Sequence, residues 1–227
     1  MKVKYIGQAG FVIETGGKTL VFDPFVSANP KMSEKLKVED IKCDYVLLTH
    51  GHQDHVLDAE QIAKQSKARI ISNYEIVSYY GQRGIEGHPM NHGGEWKFDF
   101  GTVKYVNAVH SSVLPDGTYA GNPGGFVISN DEGCFYHAGD TALTMDMKLI
   151  PMTSPKLDFA ILPIGNNFTM GYKDAVIAAE FIECEKIIGC HFDTFEAIEI
   201  NHEHAKETFS KRQKELILLD LGQEIEI

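Results

Sequence analysis

The chain has 227 residues, 43% of them hydrophobic, and a formal net charge of −11. That length suits one large domain with a proper apolar core. The acidic balance, with no basic run, argues against nucleic acid or an anionic membrane surface as the main partner, and no apolar stretch approaches membrane-spanning length.

The opening residues, MKVKYIGQAG, enter strand-like alternation at once and show no signal-peptide apolar region. Four scattered cysteines, Cys43, Cys134, Cys184 and Cys190, form no CxxC pair. A reduced, cytoplasmic protein is the expectation.

In chain order, KVKYIGQAGFVIET and KTLVFDPFV read as strands parted by the turn signal Gly16-Gly17. CDYVLLTH is a short buried strand, LDAEQIAKQSK has helical spacing, ARIIS is a strand, and NYEIVSYYGQRG is a second helix. EWKFDF and TVKYVNAVH follow as strands around Gly101. The second half offers strands in GGFVISN, GCFYHAGD, DFAILPI and KIIGCH, with helices near TMDMKLI, KDAVIAAEFIE and HEHAKETFSKRQ. A last strand pair, ELILLD and QEIEI, closes the chain. Antiparallel-looking pairs followed by strand–helix alternation, in both halves, predict an α/β fold of two mixed sheets packed face to face with helices outside, a four-layer αββα sandwich. Residues 1–227 then form one domain of two similar halves, roughly 1–108 and 109–227.

The stretch YVLLTHGHQDHV puts His50, His52, Asp54 and His55 within six positions, directly after an apolar strand. Residues two apart on a strand point the same way. In the turn that leaves it, His50 and His52 can converge on one ion while Asp54 and His55 swing toward another. Imidazole and carboxylate suit Zn²⁺, Mn²⁺ or Fe²⁺. A lone histidine is usually structural; four potential ligands in six residues are not. One turn cannot fill two coordination spheres, so partners are sought at other strand ends. His110 ends VKYVNAVH, Asp140 follows CFYHAG, and His191 ends KIIGC. Each lies where a strand delivers a side chain to the rim of a sheet.

THGHQDH, His110, HAGDT with Asp140, and His191 together resemble the HxHxDH signature and motif order of the metallo-β-lactamase superfamily. Segments such as HPMNHGGEWKFDFGTV and LPIGNNFTMGYKDAV resemble its uncharacterised metal-dependent hydrolases related to the L-ascorbate-6-phosphate lactonases. The resemblance implies that His50, His52 and His110 bind one metal, that Asp54, His55 and His191 bind a second, and that Asp140 bridges both. It implies two divalent ions per chain, zinc first, with manganese, iron or nickel as alternatives, and room for a bridging hydroxide. The expected activity is hydrolysis of an ester-like or phosphodiester bond in a small substrate. A lactonase, or a non-catalytic metal-binding or sensing module, is the alternative, and a homo-oligomer stays open. Asp54 and Asp140 are the catalytic candidates, Asp54 as a proton shuttle. No serine nucleophile is needed, and Ser111, Ser112 and Ser129 stand in no nucleophile elbow.

Several residues carry weaker signals. Gln8 stands where relatives often have a histidine, either supporting the ligands or simply structural. Asp23 is expected behind the histidine turn, accepting an imidazole N–H. Asn167, Thr169 and Met170, in GNNFTMG, are expected on the substrate side of the rim. The segment HSSVLPDGTYAGNPGG is either a lid or an ordered loop. His137, His88, His92, His202 and His204 are expected to be structural, at the rim or solvated, and Cys190 is rejected as a ligand because it alternates with His191 on a strand.

Overall fold

Two seven-stranded mixed sheets carry the molecule in the computed structural model, which describes residues 1–32 and 36–227. In the first, β1 (Lys2–Gly7), β2 (Gly10–Thr15) and β3 (Lys18–Phe22) form an antiparallel meander. β4 (Tyr45–Leu47), β5 (Arg69–Asn73) and β6 (Gly87–Met90) extend it in parallel. The second sheet repeats the plan. β7 (Glu95–Phe98), β8 (Gly101–Asn107), β9 (Gly124–Asn130) and β10 (Gly133–His137) run antiparallel, then β11 (Phe159–Pro163), β12 (Lys186–Cys190) and β13 (Glu215–Ile217) run parallel. β14 (Glu224–Glu226) returns to the first sheet and pairs with β1.

Parallel neighbours need crossovers, and helices supply most of them. α1 (Gln53–Val56), α2 (Ala59–Ser66) and α3 (Tyr74–Gly81) serve the first sheet; α4 (Ile150–Thr153), α5 (Tyr172–Phe181) and α6 (His202–Ser210) serve the second. The Asn73 side chain accepts from the Ile76 amide and starts α3; Asn201 does the same for α6 through His204. No helix of the described residues is long and apolar enough to cross a membrane.

Three apolar layers hold the sandwich together. Between the sheets, Phe22 meets Phe126 and Phe135 edge-on at ring separations of 6.2 and 6.0 Å, and Phe135 stacks on Phe159 at 5.0 Å. Outside the first sheet, Ile62, Ala63, Ile76 and Tyr80 bury the apolar faces of α2 and α3. Outside the second, Ala175, Ala178 and Ala179 let α5 lie close. β11, buried on both faces, reads as a continuous apolar run for that reason.

The αββα architecture is as expected; some details differ. ELILLD and QEIEI do not pair with each other: β13 lies at the edge of one sheet and β14 at the edge of the other. β7 and β8 belong to the second sheet, so the sheets exchange between β6 and β7. TMDMKLI forms a 3-10 turn over Met145–Leu149 before the short α4. Gly87–Met90 is a strand because it finds β5 alongside.

Within the first sheet β1, β3 and β4 point the same way, and within the second β8, β10 and β12 do. The chain just past their C-terminal ends carries Gln8, Asp23, His50, His110, Asp140 and His191.

Candidate metal centre

The turn between β4 and α1 brings His50, His52, Asp54 and His55 into one place, because α1 starts at once and folds Asp54 and His55 back over the strand end. His110, Asp140 and His191 arrive from the opposing sheet. Three ring nitrogens converge first: His50 Nε2 lies 2.9 Å from His52 Nδ1, and His110 Nε2 lies 3.3 Å from the same atom. Asp54, His55 and His191 form a second group, with ligand atoms within 4.8 Å of one another. Asp140 stands between the two groups. Its Oδ2 is 3.9 Å from His50 Nε2 and 3.5 Å from His110 Nε2, and 3.3 and 3.1 Å from the Nε2 atoms of His55 and His191. The structure thus brings together all seven residues expected as ligands.

The hydrogen bonds behind the rings fix which nitrogens are bare. Asp23 is fully buried and accepts from the Thr49 amide (2.8 Å), the Thr49 hydroxyl (2.6 Å) and His55 Nδ1 (2.9 Å). The Thr49 hydrogen is spent on Asp23, so the hydroxyl can only accept from His50 Nδ1, 3.1 Å away. Both rings therefore place their Nδ1 hydrogen in these bonds and turn Nε2 inward, bare in the neutral His50. His52 faces Ser111 Oγ through Nε2 at 3.3 Å, which leaves its Nδ1 turned inward too. Thr49 and Ser111 carry no metal-ligand signal of their own in the sequence.

This arrangement fits cations. Bare nitrogens facing each other at hydrogen-bond distance repel unless a positive charge lies between them. His55 Nε2 and Asp140 Oδ1 are buried with no hydrogen-bond partner among the described residues, a costly state unless a ligand completes them. Burial holds His50, His52 and His110 below their usual range, which keeps them neutral and able to ligate. Burial opposes ionisation of Asp54 and Asp140, but positive charge on His55 and His191 outweighs it and holds both well below the usual carboxylate range; the carboxylates in turn, against burial, hold those two imidazoles above theirs, a positive charge that a cation would replace.

Gln8 has a place as well. Its side-chain amide donates to Asp54 Oδ2 at 2.8 Å, and its carbonyl accepts from the His191 amide at 2.7 Å. Gln8, Asp23 and His191 all have left-handed backbone, with φ of 55°, 40° and 54°. Such strained conformations persist where the surroundings over-determine them.

A cleft of about 500 Å³ opens above these residues. Its far walls are Phe25, Ala28, Phe168 and Phe195. Asn167, Thr169 and Met170, expected there, do not line it: Met170 is buried in the core, the Thr169 hydroxyl turns back to the Met170 carbonyl, and Asn167 is exposed. Phe168, between them, takes that position. Its signal was an aromatic residue in a turn of Asn and Gly; Phe195 gave none. The segment after His110 is pinned as an ordered loop. The Asn73 side chain donates to the Ala120 carbonyl at 2.7 Å and the Ser112 hydroxyl accepts from the Gly51 amide at 3.1 Å. His137 is a core residue stacked on Phe22 at 4.9 Å, and His92 packs on Tyr105 away from the cleft. His88 packs against Trp96, while His202, exposed as expected, meets Asp193 Oδ2 at 2.6 Å on the surface.

A family model described as the beta-lactamase superfamily domain matches residues 2–191. A metal-dependent hydrolase of Christiangramia forsetii is 57% identical over 227 residues, all of both chains, and one of Flavobacterium johnsoniae is 59% identical over the same span. Among solved structures, a novel metallo hydrolase from the hyperthermophilic archaeon Ignicoccus hospitalis superposes with a TM-score of 0.88 at 31% identity, covering 99% of this chain and 97% of its own. These likenesses reach the superfamily and its metal-dependent hydrolases. They do not reach the lactonases to which the sequence segments were compared.

Proposed function

The chain belongs to the beta-lactamase superfamily and is a metal-dependent hydrolase, and we propose that it holds two divalent cations and hydrolyses an ester-like bond, carboxylic or phosphodiester, in a small molecule. In this reading His50, His52 and His110 hold one ion, Asp54, His55 and His191 hold the other, and Asp140 is shared. The observation that carries it is the position of Asp140 Oδ2, within 3.9 Å of one nitrogen from each of four histidines, two from each group. Zinc suits this nitrogen-rich set first.

Bound cations would supply Lewis acidity and a water whose pKa is lowered toward neutrality. The protein's own residues do the rest. Asp23 and Thr49 keep the His50 and His55 rings oriented. Gln8 holds one oxygen of Asp54, and Asp54, on the floor of the cleft, accepts the proton from water and passes it to the leaving group.

The test is metal analysis of zinc- and manganese-loaded protein beside turnover of 4-nitrophenyl acetate and bis-4-nitrophenyl phosphate, before and after chelation. Two equivalents per chain with chelator-sensitive turnover are expected. A ceiling of one equivalent defeats the dinuclear reading.

A further inference from the structure

The hydrolytic reading leaves the substrate open, and the inference here rests on that reading while narrowing it. The walls of the cleft are chemically one-sided. Phe168 is 58% exposed and Phe195 38% exposed, and Phe195 lies 6.4 Å, ring to ring, from Phe25. Large aromatic side chains left bare beside a chemical site mark where a ligand is buried.

Neither ring is there by accident of a loose loop. Phe168 sits at the tip of a loop closed by the Gly165–Gly171 bridge, with Asn166 and Asn167 both left-handed at φ 63° and 60°. Asn tolerates that conformation better than most residues. The loop is anchored beside the metal ligands, since the Met170 amide donates to the Thr141 carbonyl at 2.9 Å, one residue after Asp140. Phe195 follows His191 closely, in a segment held by the Asp193 side chain, which accepts from the Ile200 amide at 2.9 Å. The backbone that carries each ring is thus anchored beside the ligands.

What the walls lack matters equally. Among the described residues no lysine or arginine lines the cleft, and its charged members outside the histidines are Asp54 and Asp140. The positive charge that cations would bring lies at the floor, next to the reacting bond. A phosphate, sulfate or carboxylate carried on a remote part of a substrate would meet phenyl rings and no counter-charge, and burying such a charge unpaired is costly.

We propose that the cleft takes small uncharged electrophiles whose non-reacting part is an aryl or branched alkyl group seated between Phe168, Phe195 and Phe25. Phosphorylated sugar lactones and nucleotides do not fit this class. The carbonyl-type carbon lies over the floor, and water adds to it as the leaving group departs with a proton.

The experiment uses the metal-loaded full chain and two esters alike at the reacting bond, 4-nitrophenyl 3-phenylpropanoate and 4-nitrophenyl 3-sulfopropanoate, whose sulfonate is too weak a nucleophile to attack its own acyl carbon. Each rate is divided by that of spontaneous hydrolysis. The phenyl ester should exceed the sulfonate ester at least tenfold in kcat/KM. Phe168→Ala and Phe195→Ala should each shrink that preference about fivefold through KM; both rings are exposed, so the fold tolerates their loss. Equal rates, or a preference unchanged in both variants, overturn the proposal. A second readout is independent of turnover: fluorine NMR line broadening of 3-(4-fluorophenyl)propanamide, competed by 3-phenylpropanamide and not by succinamate. If neither ester turns over, the ester reading of the reaction falls. Broadening that vanishes in Phe168→Ala then still supports the apolar class, and no broadening in the wild type overturns it.

Discussion

The side-chain amide of Gln8 donates a 2.8 Å hydrogen bond to Asp54 Oδ2, joining the turn after β1 to the first turn of α1. The same residue receives the His191 amide through its carbonyl. One uncharged residue therefore positions two members of the second ligand group. Gln8→Met keeps the bulk and removes the donor. Loss of such outer support costs about 10–100-fold in metal affinity. Competition with a graded series of chelators should show that loss for one equivalent of metal only. Unaltered affinity for both equivalents would assign Gln8 to structure alone.

Asp140→Asn keeps the shape of the shared carboxylate and removes its charge. The expected outcome is a metal content nearer one equivalent than two, together with a loss of turnover larger than the roughly 10–100-fold that outer-shell losses cause. Circular dichroism should be unchanged, because β10 and β11 pack without that side chain. A variant with both metals and full turnover removes Asp140 from the centre.

His110→Ala takes one nitrogen from the first group, and no neighbouring side chain can replace it. Weaker binding of one equivalent and a large fall in turnover are expected, at wild-type thermal stability of the metal-free protein. Wild-type turnover from this variant would place the first group elsewhere.

Asp23→Asn acts on both groups at once. Asp23 accepts three hydrogen bonds, and an amide in its place turns a donor toward donors. Each buried group left unpaired costs roughly 1–3 kcal/mol. Urea unfolding of metal-free protein should show a lower midpoint with the slope unchanged, and the reloaded variant should lose metal from both groups. An unchanged midpoint would mean that the Asp23–Thr49–His50 relay carries little of the stability.

The cysteines offer a chemical check on the packing. Burial pushes the Cys43 and Cys134 thiols up to about 12 and Cys184 up to about 11. Since the thiolate is the reactive form, a thiol of that pKa is ionised at pH 8 to roughly one part in a thousand or less. Ellman's reagent should find few thiols in native protein and all four after denaturation. Rapid titration of several thiols in native protein would show that these sites open readily.

The candidate cluster was legible because its chemistry is dense: His50, His52, Asp54 and His55 crowd one turn, and His110, Asp140 and His191 each follow an apolar strand. The outer helices were legible from their periodicity. The parting of β13 from β14 was not, because two short neighbouring strands read as a hairpin, while their partners, β12 and β1, are fixed by contacts distant in sequence. The cleft walls were hidden for a related reason. Phe168 and Phe195 look like ordinary apolar residues until the fold leaves them outside the core, and Met170, two residues after Phe168, goes the other way.

Because β14 lies against β1, the Met1 and Ile227 backbones hydrogen-bond each other at 2.9 Å. The chain is therefore topologically a near-closed ring. If a short peptide joined those ends and the ring were reopened between β6 and β7, each sheet would come from one uninterrupted run of sequence, β7–β13 and then β14 with β1–β6. His50, His52, Asp54 and His55 would fall in one run and His110, Asp140 and His191 in the other. Expressed as two fragments cut at that seam, the halves could complete neither ligand group alone, and metal binding would report their reunion.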